Sequence, residues 1–127
     1  MVISASTVAA LLLSVTCSAL AQILLKHGMA ESHVQTAIAA GGIQATLRSM
    51  ATSGWLAGGF FMYALSMLIW LRVLARVDVS VAYPFVALGI LITIVLASFT
   101  LGEPLTVRKL LGAVLVIAGV YCVATIA

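Results

Sequence analysis

Four stretches of this chain, 4–25, 55–75, 80–101 and 109–127, run almost without charge; Arg72 and Lys109 are their only ionic residues. A helix crosses bilayer hydrocarbon with about 20 consecutive, mostly apolar residues, so each stretch predicts a membrane span. The rest of the composition agrees: 65% of the 127 residues are hydrophobic and 7% are charged. Soluble domains carry roughly 25% charged residues, so a fully water-exposed surface is excluded. The expected fold is all-α: one polytopic membrane domain, 1–127, with four transmembrane helices and no soluble domain. Enzymatic chemistry on an extramembrane site and a nucleic-acid partner are not expected. The first stretch does not read as a secretory signal, because no Lys or Arg precedes it and polar residues interrupt it.

Those interruptions are regular. Ser14, Ser18, Gln22 and Lys26 recur every four residues, a spacing that stacks side chains on one helical face. Each polar group costs free energy in hydrocarbon unless it is satisfied. The stripe therefore faces another helix or a substrate. The serines suit interhelical hydrogen bonds or bonds to their own preceding turn, and equally the lining of a polar path. Gln22 has several donors and acceptors to satisfy. Lys26 suits an anionic phosphate, or snorkelling to the interface.

The first helix is expected to end near His27-Gly28, where glycine terminates helices readily. Residues 30–52 form the one long connection, read as an interfacial amphipathic segment or a disordered loop, broken at Gly41-Gly42. In the second span, Trp55 and Trp70 lie roughly 22 Å apart at helical rise. Both suit interfacial anchors; Tyr63, Ser66 and Trp70 also share a face that suits substrate contact. Gly58-Gly59 suggests close packing. Asp78 lies in a short connection, as a cap, an ion-pair partner of Arg76, or plain surface charge. Pro84 is placed in the first turn or so of the third span; an earlier start of that span would make it a kink close to Tyr83. Gly102 closes that span, Glu103 and Pro104 form a tight turn, and Thr106 caps the last helix.

Gly112 and Gly119 are seven residues apart and so share nearly one face, widened by Ala118 and Ala113. Small residues let helices approach closely in lipid, so this face predicts self-association. Cys17 and Cys122 fall in different spans and read as small packing residues. No Cys/His cluster has metal-ligand spacing; no metal, cofactor or catalytic residue is expected. Lys26, Arg48, Arg108 and Lys109 flank one membrane side, against Arg72, Arg76 and the N-terminal amine on the other. That bias leans toward cytoplasmic first and third loops.

The segments "AQILLKHGM", "LRVLARVDVSVAYPF" and "LGEPLTVRKLLGAVLVIAGV" resemble four-helix members of the drug/metabolite transporter superfamily. Within it, Ala21-Gln22 and Lys26, Ser80 to Pro84, and Gly102 to Pro104 resemble the paired flippase subunits for aminoarabinose-phosphoundecaprenol (Arn type, EamA-like). The small multidrug resistance transporters are the more distant likeness. Their pattern places a glutamate eight residues before the helix 1 lysine, where this chain has Ser18. A neutral serine cannot exchange protons with a cationic cargo.

The resemblance implies a small multidrug resistance-like bundle working as a dimer in the bacterial cytoplasmic (inner) membrane. It implies a flippase for a polyprenyl-phosphate-linked sugar or similar anionic amphiphile, by alternating access. The substrate residues would be Lys26, Gln22, Ser18, Ser14, Tyr63, Trp70 and Tyr83. Glu103, Pro104 and Pro84 would shape turns, and Gly112, Gly119 and Ala118 would form the dimer seam. The partner would be a second copy or a similar four-helix subunit. Two alternatives stay open: a small-molecule or drug exporter lacking the helix 1 glutamate, and a non-transporting partner subunit.

Overall fold

The computed structural model of the chain describes residues 4–126, with side chains described through Cys122. The N-terminal amine and residue 127, the end of the fourth predicted span, lie outside the described residues. Six helices follow one another: α1 (Ala5–Met29), α2 (Ser32–Ala39), α3 (Ile43–Thr52), α4 (Gly54–Leu74), α5 (Val79–Leu101) and α6 (Val107–Ile126). The described residues contain no strand.

Three helices among the described residues, α1, α4 and α5, are long and apolar enough to cross a membrane. Their 25, 21 and 23 residues reach about 37, 32 and 35 Å at helical rise, matching a hydrocarbon core of about 30 Å. The helix ends are specified locally. Ser4 accepts a hydrogen bond from the Thr7 amide at the start of α1 (3.3 Å). Ser53 accepts one from the Leu56 amide at the start of α4 (3.3 Å). Gly102 closes α5 in the left-handed region, φ +66°, where a side chain would be strained. The Thr106 hydroxyl accepts from the Lys109 amide at the start of α6 (3.3 Å), the cap that the sequence suggested.

α1 is the central element. It lies between α4 and α5, which make few contacts with each other, while α6 packs along the other side of α5. Lipid offers helices no hydrophobic driving force, so association rests on close packing and hydrogen bonds. Glycines supply the close packing. A Cβ on Gly59 of α4 would lie 2.7 Å from Leu25 Cδ2 and 3.1 Å from the Leu25 amide nitrogen. A Cβ on Gly89 of α5 would lie 2.7 Å from Val15 Cγ1. Gly58, paired with Gly59 in the sequence reading, is looser; its nearest neighbour would be Leu24 Cδ1 at 3.8 Å.

Several expectations need correction. α1 ends at Met29, close to the expected end near His27-Gly28, but Gly28 is buried where α1 meets Leu56 and serves packing rather than termination. Residues 30–52 are not an open loop, and the break expected at Gly41-Gly42 is present. They fold into α2 and α3, joined at Gly41 (φ +75°) and Gly42. For Pro84 the second of the two expected placements holds. α5 begins at Val79, so Pro84 lies inside it, and its missing N–H leaves the Ser80 carbonyl without the usual intrahelical donor. The earlier start follows from Asp78, which occupies the N-cap position by its backbone and makes no side-chain cap bond. Cys17 is buried, whereas Cys122 lies on the exposed side of α6.

The α2–α3 hairpin is fastened to the adjoining helix ends. The Ser53 hydroxyl, buried, donates to the Glu31 carboxylate, and a His33 ring nitrogen pairs with the Ser49 carbonyl (3.2 Å). Val34 of α2 is fully buried, and Trp55 stacks on His27 with ring centroids 5.1 Å apart.

Candidate functional site

Because α4 and α5 both pack on α1 and hardly on each other, a groove remains between them, with α1 as its floor. It encloses about 670 Å³, within the range of small-molecule sites. Each wall is a helical stripe. α1 contributes Ser14, Ser18 and Gln22; α4 contributes Tyr63, Ser66 and Trp70; α5 contributes Tyr83 and Thr93. Apolar Met67, Val86 and Ile90 complete the sides, and all three are exposed at the opening. The groove therefore opens laterally, toward the surface that lipid would cover.

Six of the seven proposed substrate residues, Ser14, Ser18, Gln22, Tyr63, Trp70 and Tyr83, thus line one cavity. Lys26 does not line it. It is exposed one helical turn beyond Gln22 on the same stripe of α1, placing its ammonium group beyond the groove end that Gln22 occupies.

The polar groups have distinct commitments. Deepest, Ser14 donates to the Ser66 carbonyl (3.0 Å) and Ser66 donates to the Ser14 carbonyl (2.8 Å). Ser18 donates to the Val15 carbonyl of its own turn (2.9 Å), as does Thr93 to Gly89 (2.8 Å). With their protons engaged, these hydroxyls offer the groove acceptor lone pairs. At the exposed end the Gln22 amide donates to the Tyr63 phenol oxygen (2.5 Å), leaving a second N–H and the amide oxygen. The groove lining contains no Asp, Glu, Lys, Arg or His. Such a site can hydrogen-bond a polar, uncharged moiety and pack an apolar one, with cationic charge supplied only beyond its mouth.

Of the α5 wall the sequence reading named Tyr83 alone. Val79, Tyr83, Val86, Ile90 and Thr93 recur at three and four residues, and that spacing was the available signal. Its polar content, one phenol and one hydroxyl, was too thin to stand out in a uniformly apolar helix. Ser66 was noticed for its face but not as a partner of Ser14.

The remaining named residues lie elsewhere. Glu103 and Pro104 sit in the connection after Gly102. Gly112, Ala118 and Gly119 are exposed on α6, and nothing lies within 4 Å of a Cβ built on either glycine. Among the described residues no group of three metal-ligating side chains comes together.

Over residues 5–125 the sequence matches the EamA-like transporter family. The chain belongs to that family. It is a family of transporters, in line with a membrane protein that is not an enzyme. Curated relatives add detail. A protein of Erwinia tasmaniensis, named as a probable 4-amino-4-deoxy-L-arabinose-phosphoundecaprenol flippase subunit ArnE, is 41% identical over 66 residues, 52% of this chain and 61% of its own. One of Pseudomonas fluorescens with the same name is 43% identical, over 54% of this chain and 60% of its own. Another, from Pseudomonas aeruginosa, is 41% identical over 83 residues, 65% of this chain and 69% of its own. The chain thus spans about three fifths of the length of the first relatives it matches. No solved structure matches it.

Proposed function

We propose that this EamA-like chain is a subunit of a flippase that moves a polyprenyl-phosphate-linked sugar, or a similar anionic amphiphile, across the bacterial inner membrane. The observation that carries this reading is the lateral groove: hydroxyl- and amide-lined on its α1 floor, apolar at its opening, free of carboxylates in its lining. A sugar hydrogen-bonds along Ser14, Ser18 and Gln22, while a polyprenyl tail leaves between α4 and α5 into lipid. Tyr63, Trp70 and Tyr83 supply aromatic faces for the sugar ring. Lys26, one turn beyond Gln22, meets the phosphate with a charge-assisted bond. The names of the curated relatives support this cargo.

Four helices enclose little space, so the working unit is a pair. In this reading α6 is a fourth span and its exposed Gly112, Ala118 and Gly119 face meets a second copy or a similar subunit. The two subunits rock about the groove to expose it to each leaflet in turn.

The decisive experiment reconstitutes the purified chain and follows transbilayer movement of a fluorescent polyprenyl-phosphate sugar, then of a cationic drug under a pH gradient. Lipid movement that is lost in Lys26→Ala is the expected result. Proton-coupled drug flux overturns the reading in favour of an exporter; neither activity, in the chain alone or reconstituted with a similar four-helix subunit, overturns it in favour of a non-transporting partner subunit.

A further inference from the structure

A second, smaller cavity lies on the other side of the α1–α4 seam, near the end of α4. It encloses about 210 Å³ and is lined by Ser6, Thr7, Ala10, Arg72, Val73 and Arg76. We infer that it is a binding site for a phosphoryl group, separate from the groove and occupied by the head group of an anionic phospholipid.

Position argues for this first. Arg72 follows Trp70 by two residues, about 200° around the helix, so the arginines point away from the groove wall. Arg72 and Arg76 are four residues apart and share a face. Arg72 lies in the last turn of α4 and Arg76 just beyond it, the depth at which a spanning helix meets phospholipid head groups.

Charge argues for it second. The chain has three acidic residues, and none lines this cavity. Glu31 is engaged by Ser53, and Glu103 follows the far end of α5. Asp78, the remaining acid, lies outside the lining at the start of α5. Two exposed arginines therefore border a shared pocket whose lining holds no counter-charge. The first turn of α1 adds the positive end of a 25-residue helix. Its hydroxyls are already ordered, with Ser4 Oγ 2.9 Å from Ser6 Oγ and 2.8 Å from Thr7 Oγ1.

The ligand class follows from that donor set. Guanidinium forks match the paired oxygens of a phosphoryl group, and hydroxyls supply further hydrogen bonds. The depression, about 210 Å³, has room for several water molecules and so for a phosphoryl group and its ester oxygens. A lipid would seat its head group here, its chains lying along α1 and α4.

The test uses the purified full chain, delipidated in detergent and titrated with phosphatidylglycerol, phosphatidylcholine or inorganic phosphate. Bound molecules are counted by native mass spectrometry. Phosphatidylglycerol is expected to bind the wild type about tenfold more tightly than Arg72→Gln/Arg76→Gln. Phosphatidylcholine, whose own ammonium balances its phosphoryl charge, should not distinguish the two. Equal phosphatidylglycerol affinity in both proteins overturns the inference. Inorganic phosphate held by the wild type alone, without a lipid preference, overturns the lipid assignment and leaves a free-anion site.

If the double variant does not fold, phenylglyoxal labelling of the wild type replaces it. Phosphatidylglycerol nanodiscs, compared with phosphatidylcholine ones, should protect Arg72 and Arg76 more than Arg48 and Arg108. Uniform protection overturns the inference. The lipid-binding difference should persist in a Lys26→Ala background, so its failure is separable from failure of the transport reading.

Discussion

Ser14 and Ser66 hydrogen-bond reciprocally, each hydroxyl donating to the other's backbone carbonyl across the α1–α4 contact, at 3.0 and 2.8 Å. Both side chains are buried, and both line the deepest part of the groove. One pair of small side chains thus clamps two helices and forms the polar floor on which cargo would rest. Neither role needs a charge, and the helices keep their own backbone ladders.

Ser14→Ala and Ser66→Ala should each lower stability by about 1 kcal/mol, the scale of interhelical hydrogen bonds in membranes. The double variant should cost clearly less than the sum of the singles, because the hydroxyls also approach each other at 3.3 Å. Unfolding in a mild detergent with a denaturant series would measure this. Strict additivity would show that the two bonds act independently.

Gly59 and Gly58 make a paired comparison. At Gly59 an added methyl meets Leu25 at 2.7 Å, with the Leu25 backbone nitrogen at 3.1 Å behind it. Gly59→Ala should therefore cost about 1–3 kcal/mol through overpacking. Gly58→Ala, with its nearest contact at 3.8 Å, should be neutral or slightly stabilising, since alanine is the better helix former. Thermal aggregation followed by size-exclusion chromatography would rank the two.

The exposed face of α6 allows assembly to be perturbed without touching the fold. Nothing lies within 4 Å of a Cβ at Gly112 or Gly119, so Gly119→Leu should leave the helical content of the chain unchanged. Dimer recovery in mild detergent should fall. An unchanged oligomer size would exclude this face as the seam.

At the groove mouth, Tyr63→Phe removes the oxygen that accepts from Gln22 (2.5 Å) and leaves the ring in place. Transport of a lipid-linked sugar should slow several-fold, as expected for loss of one polar contact of about 1 kcal/mol. Helical content should not change. Gln22→Leu should act in the same direction and more strongly, because it also removes the free amide oxygen. Initial rates in proteoliposomes would report both.

Much of the helical framework was legible in the sequence because hydrocarbon thickness dictates the length of an apolar run, and Gly102 and Thr106 mark ends by local chemistry. The α1 floor was legible for a related reason: polar residues in lipid stand out, and a four-residue period names their face. What the sequence could not display was pairing. Ser14 meets Ser66 where Gly59 lets α4 approach α1; the Gly58-Gly59 pair signalled close packing but not which helix it would meet. Thr93 hid within an apolar helix, and the start of α5 stayed open between two readings because Asp78 could equally cap, pair with Arg76 or stay at the surface.

The hairpin of α2 and α3 has a practical use. Its two ends are held together where Ser53 engages Glu31, while Gly41, at its tip, has no atom within 4 Å of a Cβ position. Sequence spliced in at 41–42 would extend outward from a closed clasp and leave the bundle undisturbed. A short epitope or a protease site placed there would serve as a compass needle, read from one face of the cell envelope, to tell which way each copy of the protein points.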